Sequence, residues 1–230
     1  ERMDYIAIQI VILVIVGIYY VRRQLGQSSP LLPLDLLKIP IFTLSISTSI
    51  CSFTAQMLAM VSLPFFLQNT LGHSEVMTGL LLTPWPIATL ITAPTAGYLV
   101  ERIHPGILGS IGMILFATGL FSLSTLTTES TDLSIIWRLA LCGAGFGLFQ
   151  TPNNSTIISS APTARSGGAS GMLGMARLLG QTFGTTLVAL LFSFIAHEKS
   201  TSVCLLVGSG FAVVAAIISG LRISQPSTVK

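Results

Sequence analysis

Gln56, Gln150, Asn153, Asn154 and Gln181 carry amide side chains inside otherwise apolar runs. An amide with no partner in hydrocarbon is costly, so each of these must hydrogen-bond to another helix or face water. Gln150 and Asn154 are four residues apart and share one helical face, and Pro152 interrupts the backbone ladder between them. That face is either an interhelical contact of modest strength or the wall of a water-filled cavity. Arg177 lies about nine residues into its own apolar run, roughly 13 Å along a helix axis at 1.5 Å per residue. A charge at that depth costs about 3 kcal/mol on insertion scales unless it snorkels or finds a partner. All eight acids fall in connections or at the ends of apolar runs, so that partner is a backbone carbonyl, water, a lipid headgroup or a group beyond this chain. Trp85, set between Pro84 and Pro86, is an interfacial anchor or a platform for a flat apolar substrate.

Other chemistries are excluded by spacing. Gly143 to Gly147 reads GAGFG, but a dinucleotide turn needs G-x-G-x-x-G after a strand, and these glycines lie inside an apolar helix. Cys51, Cys142 and Cys204 are far apart and embedded in apolar runs, which gives neither a zinc spacing nor a disulfide framework; they read as small packing residues. The eleven basic residues are scattered along the chain without forming a patch, so no nucleic-acid partner is expected. No cofactor, metal or catalytic constellation is visible, and the chain reads as a protein that is not an enzyme. A proton relay through a membrane needs a titratable group in the interior, and this chain supplies none. Gly143 with Gly147, Gly167 with Gly171 and Gly180 with Gly184 are each four apart, so each pair is expected to clear a helix face for another backbone.

The elements that must position these groups are membrane helices. With 51% hydrophobic and 8% charged residues, 230 residues carry too little charge to coat a soluble globule, and the mean hydropathy is +0.83. Seven spans are expected, at 4–21, 41–67, 77–100, 107–126, 134–158, 169–196 and 202–221. The segment Gly79 to Gly106 holds four prolines and closes on Glu101-Arg102; such prolines are tolerated where neighbouring helices satisfy the freed backbone groups. Gly97 to Arg102 then reads as a helix end packed tightly at a membrane face. Short turns are expected to make sequential helices antiparallel neighbours.

Alternating connections place Arg22, Arg23, Lys38, Arg102, Arg165, Arg222 and Lys230 on one face, against Arg2, Arg138 and Lys199 on the other. By the positive-inside tendency the first terminus is outside and the last is cytoplasmic. The organisation expected is a linker transmembrane helix with a cytoplasmic connection over 1–40, a six-helix bundle over 41–221 and a cytoplasmic tail over 222–230. The bundle divides into triplets, 41–126 and 134–221, that begin on opposite sides of the membrane, which is inverted topology. The chain opens on Glu1 and reads as a fragment.

Gly97-Tyr98-Leu99-Val100-Glu101-Arg102 fits G-x-L-x-[DE]-R and resembles the short loop signature of the major facilitator superfamily. The stretch GAGFGLFQTPNNSTIISSAPTARSGGASGMLGMARLLGQTFG is similar to the late helices of that family's fourteen-span drug/proton antiporter branch. The likeness covers most of residues 31 to 221, as a C-terminal half. It departs from the family at Glu101, where aspartate is commoner, at His104, where glycine is usual, and at Leu178, where glutamine is common. The resemblance implies an all-α integral membrane fold with a facilitator-type C-terminal six-helix bundle of two inverted three-helix repeats, preceded by a linker helix. It implies a secondary transporter of the bacterial inner membrane that exports drug-like or amphipathic small molecules by alternating access.

The partners implied are the N-terminal half of the same transporter, the lipid bilayer, the small-molecule substrate, and protons that travel through that other half. Because the first helix of each triplet lines the pathway in such proteins, Gln56 and Gln150 are cavity candidates, joined by Trp85, Asn153 and Asn154. Gly97, Glu101, Arg102 and Arg177 are candidates for conformational gating, with the acid and arginine of the turn latching neighbouring helices. The helices at 77–100 and 169–196 are implied to face the other half. Two rivals are a seven-span receptor or retinal protein and a packing module inert alone; a retinal protein needs a lysine in a late helix, and 202–221 has none.

Overall fold

The computed structural model describes residues 33–224 together with Ile12, Ile15, Val16, Tyr19 and Arg22. The expected linker span at 4–21 and the tail after Ser224 lie largely outside the described residues. Among those described there is no strand, and the helices are α1 (Pro40–Phe65), α2 (Glu75–Leu82), α3 (Pro84–Leu99), α4 (Pro105–Ser124), α5 (Asp132–Ser159), α6 (Ser166–Phe194) and α7 (His197–Leu221). Single turns of 3-10 helix precede α1 at Leu34–Lys38, precede α6 at Thr163–Arg165 and follow α7 at Arg222–Ser224. A π-helical turn, Phe66–Thr70, prolongs α1.

Local chemistry sets these bounds. Pro40 and Pro105 stand in the first turns of α1 and α4, where a missing N–H costs nothing. Ser74 caps α2 by accepting the Met77 N–H at 3.3 Å, and His104 Nδ1 accepts the Gly106 N–H at 3.1 Å at the head of α4. Pro84 and Pro86 remove two backbone donors in succession, so the segment expected as one helix over 77–100 is two, joined at Thr83. Counting α2 and α3 as one span, six segments among the described residues are long and apolar enough to cross a membrane, Pro40–Thr70, Glu75–Leu99, Pro105–Ser124, Asp132–Ser159, Thr163–Phe194 and Lys199–Ser224.

The close helix pairs are α4 with α5, α4 with α7, α3 with α5, α1 with α7 and α1 with α6. Every one joins one triplet to the other. Exchanging α1 with α5, α2–α3 with α6 and α4 with α7 maps this set of pairs onto itself, as two inverted three-helix repeats require. The expectation that sequential helices are neighbours holds only for α4 and α5; α5 with α6 and α6 with α7 touch far less, and α1 with α2–α3 and α3 with α4 hardly at all. The turn from α3 to α4, about five residues, reaches up to roughly 17 Å, close to two interaxial distances, so a short turn can step past an intervening helix.

The main core lies where α1, α3, α4, α5 and α7 meet, around Trp85, Phe116, Phe146 and Phe53. Their rings stack edge to face, with centroids 5.4 Å apart for Trp85 and Phe116 and 5.7 Å for Phe116 with Phe146 and for Phe53 with Phe146. Cys142 and Cys204 are buried and Cys51 half-buried, all as free thiols. Two spans differ from the rest: only 17% of the apolar stretch of α2–α3 and 22% of that of α6 is buried, against 44% or 56% in the other four.

Candidate substrate cavity

The two sparsely buried spans flank a cavity of about 500 Å³. Phe53 and Gln56 enter it from α1, Phe146 and Gln150 from α5, and Arg177 from α6, while α3 supplies the long wall from Trp85 to Pro94. A smaller lobe of about 220 Å³ adjoins it, lined by Asn154 of α5 and by Ser170, Leu173 and Gly174 of α6. Phe53, Gln150 and Arg177 border both lobes and form a waist between them. Volumes of this size suit a drug-sized ligand in an apolar wall with a few placed polar groups.

Glycines and threonines fix the wall. A Cβ on Gly143 would fall inside the Trp85 carbonyl and one on Gly147 inside the Thr92 hydroxyl, so the α3 backbone rests directly on α5. Thr89 Oγ1 donates to the Gly143 carbonyl at 3.0 Å, and Thr151 Oγ1 donates to the Ala93 carbonyl at 3.2 Å, which ties the two helices along the bent segment. On the opposite side a Cβ on Gly180 would sit 2.6 Å from the Ile50 carbonyl oxygen, and one on Gly184 2.7 Å from that of Thr54, bringing α6 onto α1. The pair Gly167 and Gly171 behaves otherwise, since an added Cβ meets nothing within 4 Å at either. Spacing cleared that face of α6, but no described helix occupies it.

The sequence candidates separate. Gln56, Gln150 and Asn154 reach the cavity, each half-buried, and Gln150 and Asn154 share its α5 wall. Arg177 is exposed in the cavity at the waist, its guanidinium 5.5 Å from the Phe53 ring centroid. Trp85 lines the same cavity yet is 3% exposed, packed on Phe116, so the interfacial-anchor reading fails for it. Gln181 is half-buried on α6 and lines neither lobe.

Asn153 is a correction. One residue round the helix from Asn154 is a turn of about 100°, enough to aim it at α1 instead of the cavity. It is fully buried; its Nδ2 donates to Ser49 Oγ at 2.7 Å, and its Oδ1 accepts from Arg222 Nη1 at 2.7 Å. Arg222, which the sequence places among the basic residues of a membrane face, is 1% exposed. It donates to Ser45 Oγ at 3.1 Å and to Ser219 Oγ, beside Gly109, where a Cβ would lie 2.8 Å from its Nη2. Ser45, Ser49 and Ser52 recur at helical spacing on α1, and this polar seam was the available signal for a buried partner.

The turn after α3 is also looser than expected. A Cβ on Gly97 would meet only Thr151 Cγ2 at 3.7 Å, an ordinary contact, so Gly97 marks no tight packing. Arg102 bonds the Tyr98 hydroxyl and lies 4.8 Å over that ring, while Glu101 is exposed. Among the described residues Arg165 forms an ion pair with Asp35 through two bonds of 2.9 and 3.0 Å, and His73 Nε2 lies 3.2 Å from Asp132 Oδ1; neither contact involves Glu101 or Arg102. The first ties the heads of α1 and α6 at one end of the bundle, and the second joins the turn before α2 to the head of α5 at the other. The end with Asp35 also holds Lys38, Arg102 and Arg222, while Glu75, Glu129, Asp132 and Lys199 lie at the opposite end.

The Major Facilitator Superfamily model matches residues 5–185 and, in a second alignment, 46–229. The chain is 60% identical over 226 residues to a protein described as an uncharacterised transporter, YebQ, of Escherichia coli (strain K12), covering 98% of this chain and 49% of that protein. It is 32% identical over 165 residues to the multidrug resistance protein Stp of Mycobacterium tuberculosis, covering 72% of this chain and 30% of Stp. With the multidrug efflux pump LfrA of Mycolicibacterium smegmatis it shares 29% identity over 184 residues, 78% of this chain and 36% of LfrA. The chain spans about half the length or less of these curated relatives.

Proposed function

We propose that this chain, which belongs to the major facilitator superfamily, is the C-terminal half of a proton-coupled exporter of drug-like or amphipathic small molecules. The observation that carries the reading is the cavity: Gln56, Gln150, Asn154 and Arg177 put polar groups around a slot of drug size, beside two spans with few buried residues. A second bundle, the N-terminal half, would cover α3 and α6 and close the slot. Rocking of one bundle against the other would then expose the site to each side in turn.

Roles follow from placement. Gln56, Gln150 and Asn154 hydrogen-bond the substrate, Phe53 and Phe146 hold its apolar body, and the inner edge of Trp85 completes the slot. Gly97, Glu101 and Arg102 act in conformational exchange at the turn; this assignment rests on the resemblance of the turn to the family's loop. The basic end faces the cytoplasm of a bacterial inner membrane, by the tendency of Lys and Arg to stay inside. Proton coupling requires an interior titratable group, and since the acids of this chain lie in connections and at span ends, that group belongs to the other half.

Reconstitution tests the reading. The longer protein that carries this chain should show substrate-dependent proton flux in liposomes, while residues 1–230 alone should insert and show none. Robust flux from the 230 residues alone would overturn the half-transporter assignment.

A further inference from the structure

We infer that the group of the substrate seated at the waist of the cavity is an anion, carried on a flat apolar body: an amphipathic organic carboxylate or sulfonate. This rests on the transporter reading above and narrows it. Among the described residues Arg177 is the one ionisable side chain lining either lobe. Among the described residues it makes no hydrogen bond and no ion pair, and its guanidinium is held only by the face of Phe53 at 5.5 Å. Stacking on a ring leaves the N–H edge of a guanidinium free, and that edge matches the fork of a carboxylate or sulfonate.

The surrounding groups favour the same charge. From α5 come the neutral amides Gln150 and Asn154, from α6 the Ser170 hydroxyl, from α1 Gln56 and from α3 Thr89, so none offers a counter-charge to a cation. A cationic head placed at the waist would meet the like charge of Arg177, whereas an anion there would gain a charge-assisted bond in addition to those from the amides. Phe53, Phe146 and Trp85 flank the larger lobe and suit an aromatic body.

A matched pair of probes tests this on the full-length protein in nanodiscs: pyrenesulfonate and pyrenemethylammonium share one aromatic body and differ in charge. Their affinities are read by fluorescence titration against empty nanodiscs. The sulfonate is expected to bind more tightly by about tenfold or more, and Arg177→Gln to remove that advantage while leaving the ammonium probe unchanged or tighter. Arg177→Lys should restore part of the sulfonate affinity. If Arg177→Gln leaves sulfonate binding intact, or weakens both probes alike, the inference is overturned, the latter result pointing to a structural partner for Arg177 elsewhere. Tight ammonium binding without sulfonate binding would sink the anion assignment and keep the exporter reading, while failure of both probes on the wild type would count against both.

Discussion

Asn153 and Asn154 are consecutive on α5, yet they belong to regions built on opposite principles. Asn153 joins Arg222, Ser45, Ser49 and Ser219 in a knot without solvent access, where each polar side chain bonds another. Asn154 stands with Gln150 and Arg177 around an open cavity, half-buried and not committed to a side-chain partner among the described residues. Burial makes a polar group depend on its partners, because a lost bond leaves an unsolvated donor or acceptor behind. Exposure to a cavity removes that dependence and leaves the group free for a ligand. The same residue types therefore serve cohesion on one side of α5 and, under the proposed function, recognition on the other, and substitutions should tell the two regions apart.

The largest effect is expected at Arg222. Arg222→Met strands Asn153 Oδ1, while Ser45 Oγ keeps its bond to the Ile41 carbonyl, and the loss of charge-assisted bonds is expected to cost about 2–4 kcal/mol, offset in part by removing a buried charge. Thermal unfolding in detergent checks this; an unchanged midpoint would mean that the knot does not hold the bundle together. Next in size is Gly143→Ala, whose Cβ collides with the Trp85 backbone and is expected to cost about 1–3 kcal/mol. Gly171→Ala, on the open face of α6, should instead match or exceed wild-type stability, by up to about 1 kcal/mol from helix propensity. Equal destabilisation of the two by the same unfolding assay would contradict the packing described for α5 and α6.

Asn153→Leu against Asn154→Leu sharpens the comparison directly. The first is expected to lower stability by about 1–3 kcal/mol and the second by less than about 0.5 kcal/mol. The smallest effect lies at the basic end, where the bond from Arg165 holds the Asp35 carboxyl below its ordinary value. A depressed carboxylate stabilises above its ordinary pKa, and that contribution is lost as pH falls through the lowered one. Both partners are partly solvent-exposed, so Asp35→Asn is expected to cost about 0.2–1 kcal/mol at neutral pH and nothing in strong acid. A constant difference between variant and wild type from neutral to acid pH would assign the cost to something other than the ion pair.

Much of the fold was legible because hydropathy measures what the bilayer demands: a run of about twenty apolar residues spans it as a helix. Six of the spans fall within a few residues of expectation. Pairing was less legible, since helix spacing marks a cleared face without naming what arrives there. Gly180 and Gly184 meet α1, whereas Gly167 and Gly171, with the same spacing, meet nothing described. That Gln150 and Asn154 share one face followed from a four-residue interval, whereas the cavity beside that face was implied only by the family resemblance. Asn153 and Arg222 did not, because their partners come from α1 and α7, far away in sequence, and a basic residue at the end of an apolar run looks like a membrane-face residue whether or not it folds inward.

The central claim is that the Gln150 and Asn154 wall serves the passage of substrate and not the stability of the bundle. The most direct measurement is transport per molecule by the full-length protein carrying Gln150→Leu and Asn154→Leu together, normalised to its level in the membrane. The account predicts a fall of about tenfold or more in transport with stability within about 0.5 kcal/mol of wild type. Unchanged transport per molecule, or a loss explained wholly by reduced protein level, would contradict it.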